Sequence, residues 1–191
     1  MPVAELDALL DGAALDGAPR AERRVFLGAL ARRAHPVGDL VFLEGEPGDA
    51  VMLLAAGEVA ITRRSLAGDV VELGRVAAGD FVGEVGVLSG GVRGATVLST
   101  RADTVALALG RDAFFDALAH GDRAAMALLR SMNRRLAQRV RATEARVALV
   151  RDALAGEEQA RVDARLAELG HVEQGPDAWR RELLPFFSVA R

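Results

Sequence analysis

Residues 81–97 read FVGEVGVLSGGVRGATV, and the fold of the chain turns on how this stretch is understood. One carboxylate, Glu84, and one arginine, Arg93, stand nine positions apart in a run otherwise built mostly of glycine and apolar residues. A solvated connection is polar throughout, so two ionisable groups at the ends of an apolar loop point to a pocket rather than to bulk water. The pair suits a ligand that carries both an anion and vicinal hydroxyls. Arginine offers a planar fork of donors to phosphate, and a carboxylate accepts hydrogen bonds from ribose-type hydroxyls. Gly83, Gly86, Gly90, Gly91 and Gly94 allow main-chain amides to approach an anion, either in a turn or at the start of a short helix over Val85–Leu88. The plainer alternative is that Glu84 and Arg93 pair with each other and close a hairpin.

Outward from this stretch, the chain from Val37 onward has a β rhythm. Short apolar runs at Leu40–Leu43, Val51–Leu54, Val59–Thr62, Val70–Leu73, Thr96–Thr100 and Thr104–Leu109 are separated by turn signals such as Glu44-Gly45-Glu46-Pro47-Gly48-Asp49 and Ala67-Gly68-Asp69. Strands of this length, with turns about every 8–12 residues, predict a sandwich or jelly-roll barrel. Cupin enzymes share that architecture but need a cluster of histidine ligands, and the β segment has no histidine after His35. No catalytic residue and no metal site is therefore expected, and the chain reads as a non-enzyme. His35 stands alone at a boundary and is assigned no chemical role.

The 81–97 segment resembles the phosphate-binding cassette of cyclic nucleotide-binding domains, the sensor module of catabolite activator protein/FNR-like regulators and of protein kinase A regulatory subunits. The family pattern is Phe-Gly-Glu, a short apolar helix, then Arg followed by Ala, Ser or Thr and then Ala. Here Gly83-Glu84 and Arg93-Gly94-Ala95 fall at the spacing of the kinase-type members. The resemblance covers Pro36 to Leu154, and the family also has glycines where Gly45, Gly48 and Gly57 stand. It implies a double-stranded β-helix jelly roll over 36–120, mixed with flanking helices. It also implies a ligand site of Gly83, Glu84, Val85, Arg93, Gly94 and Ala95. Arg93 would pair with the cyclic phosphate, Glu84 would accept from the ribose 2′-hydroxyl, and amides near Gly83, Gly94 and Ala95 would complete the anion site. The implied ligand is cAMP, with cGMP as the other candidate, and no further cofactor is implied.

The flanks read as helical. Residues 1–35 form two short helices, the second running from Ala21 to Arg33 and stopped by Ala34-His35-Pro36. Arg111–Ala119 is a helix closed by Gly121, and Asp122 caps a long helix that Gly156 ends near Ala155. Along it Leu129, Met132, Leu136, Val140, Thr143, Val147, Val150 and Leu154 lie close to a heptad seam, predicting a parallel homodimer through 122–155. Arg134-Arg135-Leu136 resembles a triplet in the dimerisation helix of bacterial family members, where the second arginine approaches the cassette glutamate. That makes Arg135 a supporting ligand residue. Where those members carry Thr-Ser for the adenine, this chain has Arg139-Val140, with Thr143 as the nearby hydroxyl. Residues 157–191 read as a helical tail of unassigned role, with a charged helix over Glu157–Leu169 and a short one over Pro176–Phe187 bearing Trp179, Leu183, Leu184, Phe186 and Phe187.

Bulk composition narrows the classes. A net charge of −3 argues against a general nucleic-acid binder, and the absence of cysteine excludes disulfides and thiolate metal sites. All 24 basic residues are arginine. The first residues are acidic and no apolar run is long enough to span a bilayer, so no membrane partner and a cytoplasmic location are expected. After Gly156 only 35 residues remain, without a helix-turn-helix pattern, and duplex DNA is not an expected partner. The leading function is a dimeric cyclic nucleotide sensor acting in signal transduction on an unidentified protein partner. The alternatives are a scaffold of the same fold without ligand, and a regulator that binds DNA through the long helix. Nine arginines face five acidic residues between Arg111 and Asp152, an excess that a solvated face also explains.

Overall fold

The computed structural model describes residues 3–65 and 67–168. The chain divides into two units, Met1–Leu136 and Ala137–Arg191. The first begins with helix α1 (Val3–Asp11), a single 3-10 turn (Ala13–Leu15) and helix α2 (Arg20–Gly28). Strands β1 (Ala31–His35), β2 (Leu40–Phe42), β3 (Ala50–Ala56), β4 (Glu58–Arg64), β5 (Val70–Ala77) and β6 (Phe81–Val82) follow. Helix α3 (Glu84–Ser89), strands β7 (Thr96–Ser99) and β8 (Thr104–Gly110), and helix α4 (Arg111–Ala119) lead into helix α5 (Arg123–Glu168).

The strands form two four-stranded antiparallel sheets, in the orders β1-β8-β3-β6 and β2-β7-β4-β5. This is the jelly roll that the turn spacing predicts, with its helical flanks. The first sheet explains why β3 (AVMLLAA) is apolar on both faces. Val51, Leu53 and Ala55 point to a core shared with Leu9, Leu15, Leu27, Phe114, Leu128 and Met132 of the helices. Met52 and Leu54 point the other way, between the sheets, with Phe42, Val59, Val82, Val97 and Ala106. Neighbouring strands keep the same alternation, since Leu53 stands opposite Leu107 and Phe81, while Met52 stands opposite Ala108 and Val82. Register here is fixed because a one-residue slip would exchange the two cores.

Two expectations are corrected, and one element is added. Helix α2 ends at Gly28, and Ala31–His35 is an edge strand paired with β8 rather than the end of a helix. Four of its five residues are exposed, so its sequence carries no alternation to announce it; the edge of β8 supplies the structure. The cassette opens with a strand, β6, before its helix. Helix α5 does not stop at Gly156 but continues to Glu168. An added Cβ at Gly156 would meet nothing within 4 Å, so the glycine is a mid-helix residue that lowers propensity without forcing a turn. Residues 121–156 and 157–191 therefore do not meet at a helix end. The expected short helix over Pro176–Phe187 lies outside the described residues.

In the first unit, α5 is capped as expected, with Asp122 Oδ1 accepting from the amides of Ala124 and Ala125. Its buried face is Ala124, Ala125, Ala127, Leu128, Ser131 and Met132. The seam read from Leu129 thus joins this face at Met132. In the second unit Val140, Val147, Leu149, Val150 and Leu154 are all more than half exposed. Among the described residues, no helix is long and apolar enough to cross a membrane.

Candidate functional site

Helix α3 occupies the position read as a short helix inside 81–97, with Gly83 as its N-cap residue at φ 93° and Glu84 as its first residue. Glu84 is buried despite its charge. Val85 is exposed, and the buried face of α3 is Gly86 and Val87. Gly86 packs backbone to backbone on Gly48: a Cβ built on Gly86 would lie 2.7 Å from the Gly48 Cα. No side chain larger than hydrogen fits there without a shift of main chain.

Arg93 follows the glycine pair and is only 4% exposed. Nη1 donates to the carbonyls of Ala50 (2.7 Å) and Gly83 (3.2 Å), and Nη2 donates to Asp49 Oδ1 (3.3 Å). The guanidinium also lies over the Phe42 ring, 3.5 Å from its centroid. Burial pulls the Arg93 pKa below its ordinary value, against the opposing charges of Asp49 and Glu46. The acidic partner of this arginine is Asp49, so the hairpin-closing pair with Glu84 is not how its charge is met. Gly83 is required beneath it, because a Cβ there would sit 2.7 Å from both Arg93 Nη1 and Phe42 Cε2.

The loop after β2 is zipped to the loop after α3. Gly45 N donates to Arg93 O (2.9 Å), Arg93 N to Glu46 O (2.7 Å) and Gly48 N to Gly91 O (2.9 Å), with Pro47 bridged to Val92. Glu44 is engaged by Arg63 Nε at 3.2 Å and by the amide of Arg64, while its own amide donates to Thr96 Oγ1. Gly94 is exposed and Ala95 half-buried, and a Cβ at Gly94 would meet nothing within 4 Å.

Arg135 reaches the strand that enters the cassette. It donates to the carbonyl of Phe81 and to Asp80 Oδ2, and its guanidinium lies 4.3 Å from the Phe81 ring centroid. Thr143, the seam hydroxyl, donates to the carbonyl of Arg139 on its own helix (2.8 Å). His35 is buried, with Nδ1 on Asp39 at 2.8 Å, and serves the β1–β2 turn. Among the described residues, no group of three or more metal-binding side chains is gathered.

Sequence reasoning thus brings Gly83, Glu84, Val85, Arg93, Gly94 and Ala95 into one neighbourhood, and it missed Phe42, Asp49 and Asp80. Phe42 read as an ordinary strand residue, and Asp49 as the end of a turn.

The model of the cyclic nucleotide-binding domain matches residues 32–120. Those residues belong to the cyclic nucleotide-binding domain family. One curated relative is a cAMP-dependent protein kinase regulatory subunit of Neurospora crassa, 38% identical over 93 residues, which cover 49% of this chain and 23% of that protein. Another is a CRP-like cAMP-activated global transcriptional regulator of Mycobacterium tuberculosis, 32% identical over 114 residues, covering 58% of this chain and 50% of that one. Among solved structures, the catabolite activator protein of Thermus thermophilus superposes with a TM-score of 0.65 at 27% identity, over 86% of this chain and 91% of that chain. The chain spans about a quarter to a half of the length of these two curated relatives. The cassette lies wholly within the matched domain.

Proposed function

We propose that the chain is a cyclic nucleotide sensor without catalytic activity of its own, with cAMP as its ligand and cGMP as the second candidate. The observation that carries this reading is the setting of Arg93. Its Nη1 is held by two carbonyls and its face by Phe42, so the guanidinium is fixed before any ligand arrives. Nε–H and the second Nη2 hydrogen remain to take the two oxygens of a phosphate side-on. Amides near Gly94 and Ala95, which the open Gly94 leaves accessible, complete the anion site. Glu84 accepts from the 2′-hydroxyl, and Val85 and Gly83 line the same approach. Arg135 supports the cassette from Asp80 and Phe81. The named relatives are a cAMP-dependent kinase subunit and a cAMP-activated regulator, which supports the choice of nucleotide.

The exposed stripe Val140, Val147, Val150 and Leu154 is the contact of a parallel homodimer, and a ligand acts by favouring one arrangement of α5 over another. The protein works in the cytoplasm, through a protein partner rather than duplex DNA. Calorimetry with cAMP and cGMP tests the binding: heat is expected with native protein and none with Arg93→Ala, and silence of the native chain toward both nucleotides sinks the reading. Sedimentation tests the dimer, which Val147→Asp should dissociate.

A second reading has one observation in its favour. Asp49 and two carbonyls already satisfy much of Arg93, as in a scaffold that keeps the fold without a ligand. Ligand carried through native purification and seen by mass spectrometry decides between them.

A further inference from the structure

Two acidic side chains stand beside Arg93, where a phosphate would meet their charge as well as that of the guanidinium. Asp49 bonds Arg93 Nη2 directly, and Glu46 contributes its charge to the same guanidinium. Neither can swing away with its loop, because the main chain of 45–48 is zipped to that of 91–93 by three hydrogen bonds. The third acid of that loop, Glu44, is balanced by Arg63. A buried cation thus faces two solvent-exposed anions carried on a loop whose main chain is held in place. The arrangement is poorly suited to a highly charged phosphate.

We propose that Asp49 and Glu46 set the charge class of the ligand, so that the Arg93 site accepts a monoanionic phosphodiester and turns away the dianionic phosphomonoester of the same nucleoside. The proposal rests on the reading of this site as a cyclic nucleotide site. Coulomb repulsion scales with the ligand's charge, so each acid penalises the dianion twice, on a logarithmic scale, for every once that it penalises the monoanion. At a separation of several ångströms in a solvated setting, one unit charge is worth about fivefold in affinity per ligand charge. Arg93 needs Asp49 for position, whereas Glu46 touches only the Leu43 amide, at 3.2 Å through Oε2. The two acids therefore separate orientation from charge.

The test is calorimetric titration of the full chain with cAMP and with 5′-AMP, using native protein, Asp49→Asn, Glu46→Gln and the double variant. Asparagine keeps an oxygen for Arg93, and glutamine keeps one for Leu43. Each single variant should gain about fivefold for cAMP and about 25-fold for 5′-AMP, and the double variant should multiply these gains, so discrimination falls about fivefold per charge removed, with the gain shrinking in high salt. Where Asp49→Asn weakens both ligands by loosening Arg93, Glu46→Gln alone carries the comparison. Equal gains for the two ligands, or no gain in Glu46→Gln, overturn the proposal. If native protein and all variants are silent toward every cyclic nucleotide, the binding reading itself fails, which is a different result from cAMP binding with unchanged discrimination.

Discussion

The guanidinium of Arg93 lies over Phe42, 3.5 Å from the ring centroid, while the same ring belongs to the core between the two sheets. A core residue of the roll is therefore also the platform of the candidate site. Phe42→Leu keeps an apolar but smaller side chain and removes the π face. It should cost about 1–2 kcal/mol of folding stability and weaken cAMP about tenfold, read by urea denaturation and by calorimetry. Undiminished affinity would show that the platform is dispensable.

Two cassette glycines make opposite predictions. A Cβ on Gly86 would press on the Gly48 main chain, whereas one on Gly94 enters open space. Gly86→Ala should destabilise the domain by about 2–3 kcal/mol, and Gly94→Ala should stay within about 0.5 kcal/mol in the same urea experiment. Gly94→Ser, which supplies a hydroxyl beside the phosphate position, should tighten cAMP.

Glu58, at the start of β4, predicts a pH dependence. A hydrogen bond from Thr100, and after it one from Arg75, holds the Glu58 carboxyl below its ordinary value near 4.5. As pH falls, the unfolded chain takes up its proton first, at the ordinary value, and folding weakens from there until the folded-state pKa has been passed. Glu58→Gln should therefore be less stable than native protein at neutral pH, with the gap closing in acid below the usual carboxylate range. Thermal melts across pH give the answer; a gap that widens in acid contradicts the assignment.

Gly156 tests the continuity of α5. If the helix runs through this position to Glu168, Gly156→Ala should raise its stability by up to about 1 kcal/mol and increase helical circular dichroism. A helix that ended at Gly156 in a left-handed cap would lose stability on the same change.

How far these features were legible follows from what kind of interaction fixes each one. The roll was readable because its turns are local: glycine or proline punctuates every strand reversal except the one between β7 and β8, where residues 100–103 are Thr-Arg-Ala-Asp. Arg93 and Glu84 were readable because charges in an apolar run need an explanation. Strand β1 was not, since ARRAH has no alternation and exists as a strand only through β8. Asp49 was hidden for a related reason. An aspartate after Pro-Gly is what any turn contains, and its bond to Arg93 spans 44 positions of chain. Met132 read as part of a seam, yet it is fully buried in the helical core, because the apolar face that starts at Ala124 and Leu128 claims it first.

The meeting of Gly48 and Gly86 has a mechanical consequence. Most packed surfaces carry a cushion, since side chains can change rotamer and absorb a displacement of a few tenths of an ångström. Two glycines pressed together have no rotamers and hence no slack. A push on α3 must move the Glu44–Asp49 loop as a body, and a push on that loop must move α3. The gripping arm of the cassette and the acidic loop opposite it therefore behave as a gear pair with no backlash.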